Sequence, residues 1–213
     1  MRLLRWGGAK PWARACALAF AAALAGGCAT PIHSVNDSRL KERAPTLRAV
    51  DLKFVAQQTK YSCGAAALES VLTYWDTPLS QSWLLENVPP ASTKKGYQIG
   101  ELKAVAEARN LNAFAVEADF AFLEKQIDAG RPIIVPLETK YLSGIYDTPL
   151  LGPISRLVYQ TFMPSYSHYV VVFGYDDGRM WVMDPNEGLR SIKRKKFLKE
   201  WEKRGRAALL ISA

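Results

Sequence analysis

Cysteine and histidine are scarce in this 213-residue chain, which holds three of the first and two of the second. Cys16 and Cys28 fall in or beside an N-terminal segment that reads as an export signal, so Cys63 stands alone in the body. A disulfide-built fold is therefore excluded. One Cys and one His cannot fill the three or four ligand positions of a zinc site, so no metal or other cofactor is implied. Long apolar runs are missing as well: ACALAFAAALA, residues 15–25, falls short of the ~20 apolar residues that a spanning helix needs. The mature chain also lacks a large excess of either charge. Taking the four basic side chains of residues 1–27 from the 28 Lys and Arg leaves 24, against 20 Asp and Glu. Nothing in that balance calls for nucleic acid, and no run of Lys and Arg interleaves with aromatics as a base-stacking surface would. Internal repeats and low-complexity tracts are absent too.

What is present begins with an address. Arg2, Arg5, Lys10 and Arg14 precede the apolar run, which ends in small residues, the pattern of a secretory signal peptide over residues 1–27. The stretch LAGGCAT that closes it resembles the lipobox of bacterial lipoproteins. That resemblance implies that Cys28 is acylated and anchors the chain to a membrane; ordinary cleavage near Ala29 is the alternative. By resemblance to lipoprotein sorting rules, Ala29 implies the outer membrane of a bacterial cell envelope, on its periplasmic side. The polar stretch that follows has high charge density and no apolar period, so residues 28–50 read as a lipidated N-terminus and flexible tether. Residues 51–213 then form one domain large enough for a sizeable core.

Periodicity organises that domain. In GAAALESVLTYW, residues Ala67, Leu68, Val71, Leu72 and Trp75 recur at helical spacing, and IGELKAVAEARN predicts a second helix. A strand is expected at NAFAVE, a helix at ADFAFLEKQIDAG closed by Gly130, and a strand in RPIIVPLE. Residues 139–167 then lose any pattern and are rich in Gly, Pro, Ser and aromatics, which is long for an ordinary connection. HYVVVFGY and MWVMD alternate as paired strands across DDGR, with further strands at LRSIK and AALLISA. Between these last two, Phe197, Leu198 and Trp201 share one side of a basic helix whose lysines form its solvated face or meet anionic lipid. Helices followed by an antiparallel sheet predict an α+β fold.

The stretch QQTKYSCG puts Cys63 at the start of the first helix. Unpaired backbone N–H groups and the helix dipole stabilise negative charge there, and such thiols ionise below the free value of about 8.5. Gly64 is expected to give a substrate carbonyl room to approach, and the N–H of Cys63 with an amide from Gln58 or Gln57 to hold an oxyanion. A thiolate nucleophile needs a base. His33 lies in the tether, so His168, opening the strand HYVVVFGY, is the candidate. Asp184 ends the partner strand, where a hairpin turning at Asp177-Gly178 is expected to set it opposite His168 at ~5 Å to orient the imidazole.

The stretches QQTKYSCGAAAL, GRPIIV and SHYVVVFGYDDGRMWVMDP together resemble the papain-like cysteine peptidases that process bacteriocin leaders at double-glycine sites, and their stand-alone exported relatives. The resemblance covers roughly residues 50–210. It implies a papain-like fold with Cys63 as nucleophile, His168 as base, Asp184 as orienting carboxylate and Gln58 or Gln57 at the oxyanion. A peptide or protein substrate is implied, its identity left open because the transporter domains of the leader-processing members do not accompany these motifs. Ala65 stands where many relatives have Pro, a residue merely favourable at a helix start. Tyr166 is a candidate substrate contact, as are Tyr141, Tyr146, Tyr159 and Phe162, although packing of the segment onto the domain would use the same aromatics. Two other activities fit the same residues: acyl transfer to an amine by a transamidase, and a non-catalytic peptide-binding module.

Overall fold

Two apolar runs joined by a tight turn form the centre of the structure. The computed structural model describes residues 42, 44–139 and 165–213. The signal segment, Cys28, His33, and Tyr141, Tyr146, Tyr159 and Phe162 lie outside the described residues. In chain order the elements are β1 (Arg48–Ala49), α1 (Cys63–Tyr74), α2 (Gln81–Asn87), α3 (Ile99–Glu107), β2 (Asn112–Glu117) and α4 (Phe120–Asp128). There follow β3 (Ile133–Thr139), β4 (Tyr166–Tyr175), β5 (Arg179–Asp184), β6 (Gly188–Lys193), α5 (Arg194–Glu202) and β7 (Ala207–Ser212). The fold is α+β: among the described residues seven strands make one antiparallel sheet, ordered β2-β7-β3-β4-β5-β6, with β1 pairing the far end of β4.

Strand alternation divides the core in two. On one face Ile134, Val171, Phe173, Met183 and Leu209 meet Leu68, Val71 and Leu72 of α1 and Leu102 of α3. On the other, Val135, Val170, Val172, Val182 and Ala208 meet Leu123 and Ile127 of α4 and Phe197 and Trp201 of α5. The central strands are buried on both faces, which is why HYVVVFGY reads as a nearly unbroken apolar run. The basic helix docks as its sequence predicts: Trp201 is fully buried and its indole N–H donates to the Ala207 carbonyl at 2.8 Å.

Helix ends follow local chemistry. Asp119 caps α4 by accepting from the Phe122 N–H at 2.8 Å, and Gly130 closes the chain after it at φ 74°. α2 is an addition to the expected elements. Its seven residues bury only Gln81 and Leu84, too few to show a period, yet Ser80 caps it by accepting from the Trp83 N–H at 3.2 Å. β1 is a second addition. Residues ahead of 51 pack on the sheet: Ala44 and Val50 are buried, and Arg48 and Ala49 pair with Tyr175 and Gly174. A Cβ on Gly174 would sit 2.8 Å from both the Ala49 Cβ and the Arg48 carbonyl oxygen, so glycine is what lets β1 lie down there.

Candidate active site

Residues 57–62 form a turn built around Ser62. Its hydroxyl accepts from the Gln58 and Thr59 N–H groups at 3.1 and 2.9 Å and donates to the Thr59 carbonyl at 3.1 Å. Spent in that way, it caps nothing: α1 has no side-chain cap, and its first N–H groups stay free for other anions. Gln81, buried on α2, braces the same turn, accepting from the Gln58 N–H at 3.0 Å and donating to the Ala56 carbonyl at 2.7 Å. A backbone bond from Gln57 N–H to the Pro185 carbonyl, 2.9 Å, then ties the turn to the residue after Asp184. The segment leading to Cys63 is thereby fixed against the sheet end that carries the other candidate residues.

The expected direct pairing of His168 with Asp184 across the hairpin is corrected by the register. Val171 pairs with Met183 and Val172 with Val182, while Gly174 pairs with Trp181, the shift being a bulge between Val172 and Gly174. Continued from Val171, that register sets Asp184 opposite Val170, diagonal to His168 and on its face of the sheet. Without the bulge, Asp184 would fall opposite Val171 and point to the other face. The imidazole Nε2 meets Asp184 Oδ1 at 2.7 Å. That leaves Nδ1 to face the Cys63 sulfur, and the two groups shift each other's protonation. β5 pairs with β4 only from Val171 onward, so the start of α1 meets the earlier residues of β4 past the end of β5, where the Tyr169 N–H also donates to the sulfur.

Burial sets the electrostatics, since Cys63, His168 and Asp184 are 8%, 4% and 1% exposed. Burial alone would raise the Asp184 carboxyl. The hydrogen bond and charge of His168, with the charge of Arg190, instead hold it well below the usual carboxylate range. Burial likewise would lower His168, but its bonds to Asp184 and Cys63 push it up to about 10. Burial pushes the Cys63 thiol up, while the bond and charge of His168 and the backbone N–H groups of Tyr169 and Gly64 outweigh it, so the net direction is down. These opposed shifts favour a thiolate beside an imidazolium.

Cys63, His168 and Asp184 thus come together, and with them Tyr166, whose ring stands edge-on to the imidazole at 6.0 Å. Both Gln57 and Gln58 line the cavity in front of the sulfur, but their amides differ. The Gln58 amide is engaged twice by Ser82, donating at 2.9 Å and accepting at 3.1 Å. The Gln57 Oε1 is buried without a partner, and its Nε2 donates one hydrogen to the Thr59 carbonyl at 3.1 Å, leaving a second free. At Gly64 a Cβ would lie 3.2 Å from the Tyr169 ring and 3.3 Å from Tyr97 Cβ, so the residue's smallness serves inward packing. Three contributors escape sequence reasoning. Ser62 and Gln81 act through folded contacts alone. Arg190, which reads as part of a solvated basic stretch, donates to Asp184 Oδ2 from Nε at 3.0 Å and from Nη2 at 2.6 Å.

The profile described as Peptidase_C39 like family matches residues 49–209. Curated protein sequences return no match. Among solved structures, a C39-like peptidase from Bacillus anthracis aligns at TM-score 0.56 and 18% identity, covering 75% of this chain and 94% of its own. The peptidase domain of Streptococcus ComA, a bi-functional ABC transporter of a quorum-sensing pathway, aligns at 0.54 and 20%, covering 75% and 96%. A double glycine motif protease from an AMS/PCAT transporter, solved with its leader peptide, aligns at 0.54 and 15%, covering 85% and 98%. At these identities the structural likeness establishes the papain-like fold of the C39 peptidases.

Proposed function

The chain belongs to the C39-like peptidase family, and on that premise we propose that it is a cysteine peptidase working through Cys63, His168 and Asp184. The observation that carries the reading is the buried succession of sulfur, imidazole and carboxylate, open at its sulfur end to a cavity lined by Gln57, Tyr166 and Asn186. Cys63 transfers its proton to His168, and the thiolate attacks the scissile carbonyl. The oxyanion is held by the Cys63 N–H and by the second N–H of the Gln57 amide, which is part-buried in the cavity, whereas the Gln58 amide lies exposed against Ser82. The imidazolium gives its proton to the departing amine as the C–N bond breaks and a thioester forms. Water, deprotonated by His168, then cleaves the thioester and returns the sulfur to its starting state. The substrate is a peptide or protein segment, in keeping with the leader peptide bound to the AMS/PCAT relative. The reading extends to the cell envelope: export on the N-terminal signal and anchoring through an acylated Cys28 are supported by the sequence pattern.

Labelling of the purified protein with a peptidyl chloromethyl ketone, located by mass spectrometry, tests the catalytic reading. Modification is expected at Cys63 and is expected to slow at least ~100-fold in His168→Ala, in line with the contribution of a positioned base. Equal labelling in both proteins would refute activation by His168.

A further inference from the structure

The wall of the cleft opposite the sheet is made by residues 57–61 and by the loop at 92–98 between α2 and α3. The two are pressed together at Gly96, φ 70°, where a Cβ would sit 2.8 Å from the Tyr61 carbonyl oxygen. Two N–H groups, from Lys95 and Gly96, close the loop onto the Ser92 carbonyl at 3.1 and 2.8 Å. This braced wall carries Lys60, Lys94 and Lys95, all exposed and all lining the cavity that contains Cys63 and His168. None of the three ammonium groups has an ion-pair or hydrogen-bond partner among the described residues. Other cations of the fold are in part paired, as Lys103 with Glu107 at 2.6 Å and Arg206 with Glu117 at 2.9 Å, and in part unpaired among the described residues, as Lys53 and Lys125; what sets Lys60, Lys94 and Lys95 apart is that all three line one cavity. Across the cleft Arg204 is held by Glu138 at 3.0 Å. Among the described residues no carboxylate lines the cavity. Of the carboxylates beside it, Asp184 is held by His168 and Arg190, and Glu101 accepts from the Ala91 and Gln98 N–H groups at 2.9 and 2.6 Å.

We propose that this lysine wall is a specificity site, and that the substrate is a peptide segment carrying Asp or Glu beside the bond that is cut. The inference rests on the peptidase reading of the same cleft and deepens it. Three like charges held on one wall repel each other and focus a positive potential into a concave site, and an anionic chain lying along that wall relieves the repulsion. The charges sit within the cavity that holds the nucleophile, which favours a bound peptide over a flat lipid surface. Because all three lysines are exposed, the effect is screened by salt.

The test digests a proteome-derived peptide library with the full-length chain and reads the cut sites by mass spectrometry, using Cys63→Ala as the blank. Matched acidic and amide-substituted peptides made from those sites then give kcat/KM ratios. Acidic residues are expected near the cut, with an acidic-to-amide ratio of about tenfold at ~20 mM salt that shrinks to about twofold at ~0.5 M. Combining Lys60→Gln, Lys94→Gln and Lys95→Gln should bring the low-salt ratio toward one. Cys63-dependent cleavage with no acidic preference, or with a ratio that the triple variant keeps, overturns this inference and leaves the peptidase reading standing. No Cys63-dependent cleavage of any peptide overturns both. If instead the triple variant loses only its binding to phosphatidylglycerol vesicles, with peptide ratios unchanged, the wall serves a membrane surface and the inference fails.

Discussion

Burial alone would keep the Cys63 thiol protonated and the His168 imidazole neutral; Asp184 first and Cys63 second hold the ring charged, and the ring in turn favours the thiolate. The pair is therefore competent over a window whose edges belong to both groups. Its acid edge lies below the ordinary thiol value of about 8.5, and its alkaline edge lies near the His168 value of about 10. The sign for His168 follows: its raised value means that the charged ring stabilises the fold fully below ~6.5 and that this contribution is lost as pH rises through about 10. Asp184 runs the other way, its contribution present above ~3.9 and lost as pH falls toward its depressed value. Asp184→Asn is expected to draw the alkaline edge of kcat/KM for peptide hydrolysis, which needs the imidazolium as acid, down from about 10 toward ~7, where a less supported imidazolium gives up its proton. An alkaline edge that stays near 10 in this variant would mean that Asp184 does not sustain the charge on His168.

Among the elements, α2 has the least sequence signature and a large consequence, because Gln81 braces the turn that leads to the nucleophile. Gln81→Leu keeps the volume and removes both bonds, leaving the Ala56 carbonyl without its partner and the Gln58 N–H with the Ser62 hydroxyl alone. The fold should lose about 1–3 kcal/mol. The turn should loosen around Gln57, so that kcat/KM falls while the acid edge of Cys63 alkylation stays put; a purely structural role would lower the melting temperature alone. Most other elements were legible beforehand. The 3.6-residue recurrence through Ala67, Leu68, Val71 and Leu72 marks α1, and the alternating NAFAVE coincides with β2. Cys63 and His168 could be nominated because the chain offers so few alternatives, and Asp184 because it ends the strand that pairs with the one His168 opens. What stayed hidden depends on neighbours distant in sequence. Two-residue β1 has no period of its own, the bulge before Gly174 leaves the apolar pattern intact, and Arg190 resembles any surface arginine until Asp184 lies beside it.

At the scale of the whole molecule, the sheet is closed by its last strand: β7 lies between β2 and β3, which do not touch each other as neighbours. Ala208, Leu209 and Ile211 are fully buried there, contributing to both layers of the core. Ending the chain at Gly205 should leave β2 and β3 with open edges and abolish the cooperative thermal transition seen by circular dichroism; a truncated chain that still melts sharply would assign β7 a peripheral part. Closure of this kind joins residues far apart in sequence and is slow, because loop entropy is lost before the contacts repay it. Position 63 emerges early during synthesis, long before positions 168, 184 and 207 exist to complete its surroundings. The final strand therefore works as a latch: in a chain caught half-made Cys63 is an ordinary thiol, and it gains its surroundings only when the whole sheet has been zipped shut.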